Sequence, residues 1–580
     1  MDESKTYSRA QSRNSVTAGF RRGVLLAFAS FLNIPIASAQ QSTSEGDSFR
    51  SEIFVGSRPE NYLRYLQTMG LVRLYPWSSR GFSPRELDGL IPRDTAHPWS
   101  GRFSDSGKSV QGIRYDFVRP VTTFRYNTGF AYGTNDGPVW AGRGLTSAIQ
   151  LGIVARWKPV SLALAPTAFR AENRPFFTQP TGFTGNAAFS NALFGSSVDF
   201  PQRFGDSPYS QLDPGQSTLR IDLPILAVGA STANIGWGPG TEYPLLLGNN
   251  AAGFPHLFVG SSAPIDIFIA RLHGAVMWGR LAQSKFSSVT GPIDYTSRAE
   301  PGRRRFASGF VVVAQPRGIT GLEVGGARFL HSIWPRSGIP RSYLTKVFQG
   351  FLKKNLRPDT PDDPRFPEDA VTRGIADNQL AEIFMRWVLP KSGFEMSAEY
   401  GREDHSEDVR DLEQEPDHAR FYNFGVRKVF SLGRASMTAA RFELINFQLP
   451  SLSRYRGEGE IYVHGLIRQG HTQRGQLLGA AVGVGAAAGS TLAVDHYTPS
   501  GRWTVSWVRD LRQEADNFLI LGVQRPFAMD VTHALGVEMT RMVRGFDVTT
   551  GLTFVRSFNR EFASDAANIN AVFGARYNIN

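Results

Sequence analysis

Residues 149–165 read Ile-Gln-Leu-Gly-Ile-Val-Ala-Arg-Trp-Lys-Pro-Val-Ser-Leu-Ala-Leu-Ala, and their alternation decides the fold class. Ile149, Leu151, Ile153, Ala155 and Trp157 fall on one face, while Gln150, Gly152 and Arg156 fall on the other, with Val154 the exception. Lys158-Pro159 turns the chain, after which Val160, Leu162 and Leu164 alternate with Ser161, Ala163 and Ala165. A period of two with one apolar face is a strand signature, and two such runs across a short turn predict a hairpin. Trp157 occupies the position of an interfacial aromatic girdle.

The same grammar returns further along. Trp503, Val505 and Trp507 alternate with Thr504 and Ser506, and Leu535, Val537 and Met539 with Gly536, Glu538 and Thr540. Val548, Thr550, Leu552 and Phe554 alternate with Asp547, Thr549, Gly551 and Thr553. Phe573, Gly574, Ala575, Tyr577 and Ile579 resemble a barrel-assembly signal, although the chain ends in Asn580 rather than an aromatic. A soluble sandwich alternates too, so no single strand decides the matter. Many such strands, 12% aromatic residues and no cysteine, behind an export signal, point to an all-β transmembrane antiparallel β-barrel. With strands of ~10 residues, short periplasmic turns and long outer loops, a hairpin takes roughly 50 residues, so residues 116–580 hold about 18 strands.

Bulk properties narrow the class. A hydrophobic fraction of 41% and a mean hydropathy of -0.23 argue against helical spans. The apolar run Gly23 to Ile36 is too short for a spanning helix of about 20 residues. It follows Arg21-Arg22 and leads to Ala37-Ser38-Ala39, so residues 1–39 read as a secretory signal. The Arg pair lacks the flanking pattern of twin-arginine export. Residues 40–114 read as a periplasmic lead-in with short helices, and 115–580 as the barrel, in the outer membrane of a Gram-negative-type cell. Without cysteine there are no disulfides, thiolate metal sites or cysteine nucleophiles. A net charge of +12 on an exported chain points to acidic polysaccharide or lipid headgroups rather than nucleic acid, though solubility alone also accounts for it.

Ser57-Arg58-Pro59-Glu60 and Ser83-Pro84-Arg85-Glu86 read as capping boxes that open two short amphipathic helices. Tyr62, Leu66 and Met69 form one stripe, and Leu87, Leu90 and Ile91 the other, each needing a partner surface at the periplasmic mouth of the barrel. Polar inserts over Arg341–Asn378 and Glu403–Arg420 read as extracellular loops or inward plugs, with a short basic helix over Tyr343–Leu356 in the first.

The densest segment is Ser231–Arg280, where a Gly-Pro-Gly turn beside Trp237, the pair Asn249-Asn250 and the corner Gly253-Phe254-Pro255-His256 lie between strand-like stretches. It supplies no nucleophile–base pair, metal cluster or phosphate loop, and reads as a loop pinned to a sheet. This block resembles the signature of the capsule-assembly (Wzi) family of outer-membrane proteins. Tyr132-Gly133-Thr134-Asn135-Asp136-Gly137 before Trp140-Ala141-Gly142-Arg143-Gly144 is similar to that family's first hairpin. Asp199-Phe200-Pro201-Gln202-Arg203-Phe204-Gly205, Gly215-Gln216-Ser217, Gly279-Arg280-Leu281, Glu399-Tyr400-Gly401-Arg402-Glu403-Asp404 and His464 with Gly470-His471-Thr472-Gln473-Arg474-Gly475-Gln476 look like its later marks, in order. The family's central turn is often richer in tryptophan than Ile235-Gly236-Trp237. The resemblance implies a barrel of about 18 strands with periplasmic helices, as geometry allows. It also implies a lectin-like, non-catalytic role: holding capsular or extracellular polysaccharide at the surface, beside outer-membrane lipid and the polysaccharide-export machinery, without cofactor.

Candidate contacts carry bland readings beside the functional ones. Trp140 and Arg143 suit sugar faces and carboxylates, or a girdle ring and an internal ion pair. Asn135-Asp136-Gly137 is first of all a turn. Trp237, Asn249, Asn250 and His256 form a sugar shelf, or hold a loop through bonds to backbone. Arg203, Arg280, Arg402 and Arg474 join the polysaccharide candidates. Glu399 and Asp404 are the only carboxylates to weigh as a glycosidase pair, which needs a separation of about 5–9 Å, and charge pairing in a wet lumen serves as well. His256, His464 and His471 lack metal-ligand spacing. Arg303-Arg304-Arg305 and Lys353-Lys354 read as acidic-glycan or lipopolysaccharide contacts, or as a solvated face. The alternatives to an anchor are a sugar-translocating porin and a barrel hydrolase acting on glycan or lipid.

Overall fold

The computed structural model describes residues 49–103, 107–195, 197–289, 304–335, 338–352, 377–403, 406–449, 460–465, 467–513, 519–520, 523–524, 529–543 and 545–577. The export signal, Arg303, Lys353-Lys354, Asp404, His405 and Asn580 lie outside them. After β1 (Ile113–Asn127), the predicted hairpin forms as β2 (Gly144–Trp157) and β3 (Val160–Leu164, resuming at Thr167–Ala171). β4 (Tyr209–Asp213, resuming at Thr218–Asp222), β5 (Leu226–Ser231) and β6 (His256–Ser261, with Ile265–Asp266) follow. Next come β7 (Ala270–Ala282), β8 (Arg304–Pro316), β9 (Leu322–Ile333), β10 (Asp377–Leu389), β11 (Phe394–Glu403) and β12 (Arg420–Leu432). β13 (Met437–Asn446), β14 (Ala487–Thr498), β15 (Gly501–Gln513), β16 (Met529–Val543), β17 (Phe546–Arg560) and β18 (Ser564–Tyr577) complete the series. Each strand pairs antiparallel with the next, and β18 returns to β1 with Asn570 opposite Asn127, closing an 18-stranded barrel.

Closure leaves no edge strand, and the alternation is inverted relative to a soluble protein. Ile149, Leu151, Val505, Val537, Leu552 and Phe573 are exposed, whereas Arg386, Glu395, Glu399, Asp495 and Arg576 are buried inside. Apolar-out and polar-in is the pattern of a barrel whose solvent is lipid, and this is an outer-membrane barrel. Trp157, Phe268, Phe430, Phe546 and Tyr577 are exposed beside the short turns, forming the girdle at the periplasmic end. Among the described residues no helix is long and apolar enough to cross a membrane. β3 is interrupted at Ala165-Pro166, where proline has no N–H for the ladder. Opposite it Gly215 (φ +60°) lies so close to the Ala165 carbonyl that any Cβ would collide with it.

Short turns lie at the end that holds both barrel termini, and the long connections at the other, which is therefore the outer face. Two helices precede the barrel: α1 (Arg58–Thr68), capped by Ser57, and α2 (Pro84–Leu90), with a full capping box between Ser83 and Glu86. In α1 the box is only half made, because the Glu60 carboxylate reaches past Ser57 to the Gly56 N–H. These helices do more than sit on the mouth. α1 is buried on every side, Arg64 and Gln67 included, against Val429, Met437, Ala439, Tyr497 and Met542 of the inner wall. The single-stripe expectation fails because a polar lumen wall gives the helix's other faces partners too.

The Arg341–Asn378 insert also departs from expectation. Among its described residues the helical part is one α-turn, Ser342–Thr345, and a 3-10 turn, Lys346–Phe348. The carbonyls of Val347, Gln349 and Gly350 accept hydrogen bonds from Arg328, which ends the helix there. The described residues 341–352 lie against the outside of β7–β9.

Candidate functional site

The loop predicted to be pinned to a sheet, residues 232–255 between β5 and β6, turns into the lumen and reaches the periplasmic segment. Trp237 and Gly236 pair with Ser79 and Arg80, and the Gly238 N–H donates to the Ser78 carbonyl. Wall carboxylates hold the rest. Glu443 accepts the N–H groups of Thr241, Glu242 and Tyr243 at 3.1, 3.1 and 2.7 Å, and Asp510 accepts the Tyr243 hydroxyl at 2.8 Å. Glu399 accepts the Gly240 N–H. A Cβ at Gly238 or Gly240 would stand 2.9 Å from Glu399 Oε1, so the Gly-Pro-Gly turn is what lets backbone approach a buried carboxylate this closely.

A second connection, residues 460–486, folds in beside the first. Asn250 Nδ2 donates to the Leu477 carbonyl at 2.9 Å, and the Gly248 N–H to that of Leu478 at 3.2 Å. His471 Nε2 lies 2.6 Å from the Leu246 carbonyl, which only accepts, so that nitrogen carries the proton and Nδ1 accepts from His331 Nε2 at 2.8 Å. His331 Nδ1 in turn accepts from Arg305 Nη1 at 3.3 Å, giving a one-way chain of donors with both rings neutral. Burial holds His471 down to about 3, in keeping with that state. The first outer turn joins the same junction: Asn249 Nδ2 donates to the Asn135 carbonyl at 2.8 Å and the Gly137 N–H to that of Asn249 at 2.7 Å. Asn135 and Gly137 both take positive φ, 55° and 60°.

From below, Arg64 of α1 donates to Glu395 at 2.6 Å and to the Pro239 carbonyl at 2.8 Å. Arg386 bridges Glu395 and Glu323 at 2.6 Å each, and Glu323 accepts the Trp77 and Ser78 N–H groups. Buried charges survive when paired and hydrogen-bonded, and here the pairs join wall, helix and loop. The barrel is plugged from both ends.

The candidates thus divide. Trp237, Asn249, Asn250, His256 and Glu399 belong to the plug, where His256 Nδ1 lies 2.8 Å from the Phe254 carbonyl. Arg474 pairs with Asp213 at 2.6 Å. Trp140, Arg143 and Arg203 gather at the outer rim. There Trp140 packs on Phe204 (5.0 Å between centroids), and Phe204 stacks on Tyr209 at 4.5 Å. Arg143 donates to the carbonyls of Thr128 and Pro175. Arg203 donates to the Asn173 side chain and carbonyl and pairs with Asp206. These two arginines brace the connection 172–208 from within. Arg402 and Arg280 are not brought to either group, and Arg280 is exposed on the outside of β7.

Sequence reading missed what this braced connection displays. Phe177 and Phe183 are exposed, and Arg174, 54% exposed, pairs with Glu172 at 2.7 Å and lies over the Tyr126 ring. Exposed aromatic rings can pack on sugar C–H faces, and a guanidinium on the same connection can pair with acidic groups. The available signal was Arg174-Pro175-Phe176-Phe177, an aromatic run set among turn residues instead of in an alternating strand.

No protein-family model matches the sequence, and no curated protein matches it. Solved structures do match. The chain has the fold of Wzi of Escherichia coli, an outer-membrane protein involved in group 1 capsule assembly, described as a carbohydrate-binding β-barrel. The likeness covers 91% of this chain and 99% of that one, with a TM-score of 0.56 and 12% identity. OccAB3 of Acinetobacter baumannii matches over 80% of this chain and 98% of its own, with a TM-score of 0.36 and 9% identity. OccD3 of Pseudomonas aeruginosa matches over 82% and 93%, with a TM-score of 0.36 and 10% identity.

Proposed function

We propose that this protein is a lectin-like outer-membrane anchor that holds an exported capsular or extracellular polysaccharide, acidic in character, at the cell surface and assists capsule assembly. The observation that carries this reading is the plugged lumen beneath a braced outer connection that displays Arg174, Phe177 and Phe183. A barrel whose lumen is largely taken up by inward-folded segments, with an aromatic and cationic outer surface, suits holding a polymer rather than passing one. The carbohydrate-binding description of the Wzi fold supports the same reading. Glu399, weighed for the hydrolase alternative, is 2% exposed and accepts the Gly240 N–H, as a carboxylate that holds a loop would. Polysaccharide-export components are the proposed periplasmic partners.

Comparing cell-bound with released polysaccharide in cells with and without the gene tests the proposal. Deletion should move intact polymer into the medium, and changing Arg174 and Phe177 together to Ala should give the same release with normal barrel levels. Unchanged retention defeats the anchor, and longer polymer on deletion points instead to a hydrolase.

A further inference from the structure

The outer wall of β7–β9 is unlike the rest of the lipid-facing surface. On β9 the residues facing outward alternate through Val324, Gly326 and Arg328, with Phe329 and His331 facing the lumen. An arginine on the lipid face is costly at mid-membrane, yet Arg328 is fully buried. Residues 341–352 cover it as an external strap. Arg328 donates to the carbonyls of Gln349 and Gly350 at 2.6 and 3.0 Å, and its guanidinium lies 4.2 Å from the Phe351 ring centre. The strap is fastened elsewhere too. Trp278 Nε1 donates to the Leu344 carbonyl at 3.0 Å, Tyr343 packs on Phe306 at 5.2 Å, and Phe348 stacks on Phe310 at 6.3 Å.

Covering the wall does not make the strap's own exterior polar. Leu344, Phe348 and Phe351 remain 50%, 66% and 54% exposed. Just above, the apolar belt ends. Outward-facing Leu257 and Trp278 are partners across β6 and β7, and the next outward residue on β7 is Arg280, opposite Phe306. Arg280 is exposed and has no side-chain hydrogen bond or ion pair among the described residues. On the neighbouring strand Arg304 faces outward one pleat higher, over the Trp334 ring at 5.8 Å, and the exposed Arg341 opens the strap. Tryptophan at the boundary with arginine immediately beyond it marks headgroup depth.

We propose that this corner is a binding site for a phosphorylated glycolipid of the outer leaflet, with Arg280 and Arg304 on headgroup phosphate and Leu344, Phe348 and Phe351 among the acyl chains. Cations above an apolar ridge match an anionic headgroup above hydrocarbon, and no other described part of the outer wall carries such a strap. The site faces away from the lumen and shares no residue with the 172–208 connection, so it stands or falls independently of polysaccharide binding. It also gives Arg280 a partner that its place in the lectin-like candidate set does not.

The test uses detergent-purified full-length protein with diphosphoryl lipid A and its dephosphorylated form, scored by retained lipid in native mass spectrometry. Heat-modifiable gel mobility confirms that each variant is folded. The diphosphoryl form should be retained in preference, Arg280→Gln should weaken its retention at least about tenfold, and Phe348→Ser should weaken both forms. Retention indifferent to the phosphates, or to Arg280→Gln in folded protein, overturns the proposal.

Discussion

Glu443 on β13 accepts three successive backbone N–H groups from residues 241–243 as well as the Asn423 amide. Such a carboxylate works as a clamp whose loss leaves buried donors without a partner, at about 1–3 kcal/mol for each one. Glu443→Ala should therefore free the 238–247 stretch, seen as new protease cleavage there and a lower melting temperature. Glu443→Gln, which keeps one acceptor oxygen, should lie in between. A Glu443→Ala protein with wild-type protease resistance would show that the clamp contributes nothing. The clamp was not legible beforehand, because residues 241 and 443 are brought together only by the closed barrel. The Gly-Pro-Gly turn was legible as a turn, but its need for glycine comes from Glu399, which reaches it from another strand.

Elements are joined to one another by a few such contacts, and the one at His471 titrates. It links β9, the 460–486 connection and the 232–255 loop, and only as a neutral ring. Its folded value of about 3 lies below the ordinary 6.5, so between those values the unfolded chain binds more protons than the native one. Stability from this group is complete above pH 6.5 and is lost as the pH falls toward 3. His471→Gln keeps a donor for the Leu246 carbonyl and an acceptor for His331 without titrating. The variant's melting temperature should fall less steeply from pH 7 to 4 than that of the wild type, and equal slopes would refute the link. At this scale the capping signals at Ser57 and Ser83 located both helices, whereas the all-round burial of α1 depended on Arg386, Glu395 and Tyr497, hundreds of residues away.

For the whole molecule the question is whether the barrel conducts. Barrels of 16–18 strands ordinarily leave an aqueous channel of about porin width. Here the lumen holds α1, the 232–255 loop and the 460–486 connection, cross-linked by buried ion pairs. In planar bilayers the wild-type protein should give little current, and a variant with residues 236–252 replaced by a short Gly/Ser linker should give large, steady steps. Porin-like current from the wild type would return the translocating alternative to first place.

By itself the sequence determined that this chain is built of strands that alternate as those of a membrane barrel do, roughly how many there are, and where its turns and helix starts fall. Those properties are local: a period of two, a capping serine or an Asn-Asp-Gly turn is written in neighbouring residues and needs no distant partner. Only the tertiary structure decided which loops turn inward, why Arg328 tolerates an outward position, and which of the candidate aromatic and basic residues are spent on internal bracing. Those outcomes depend on which strand's side chains meet which loop's backbone across the lumen or over the rim, and barrel closure alone brings such groups within hydrogen-bonding reach.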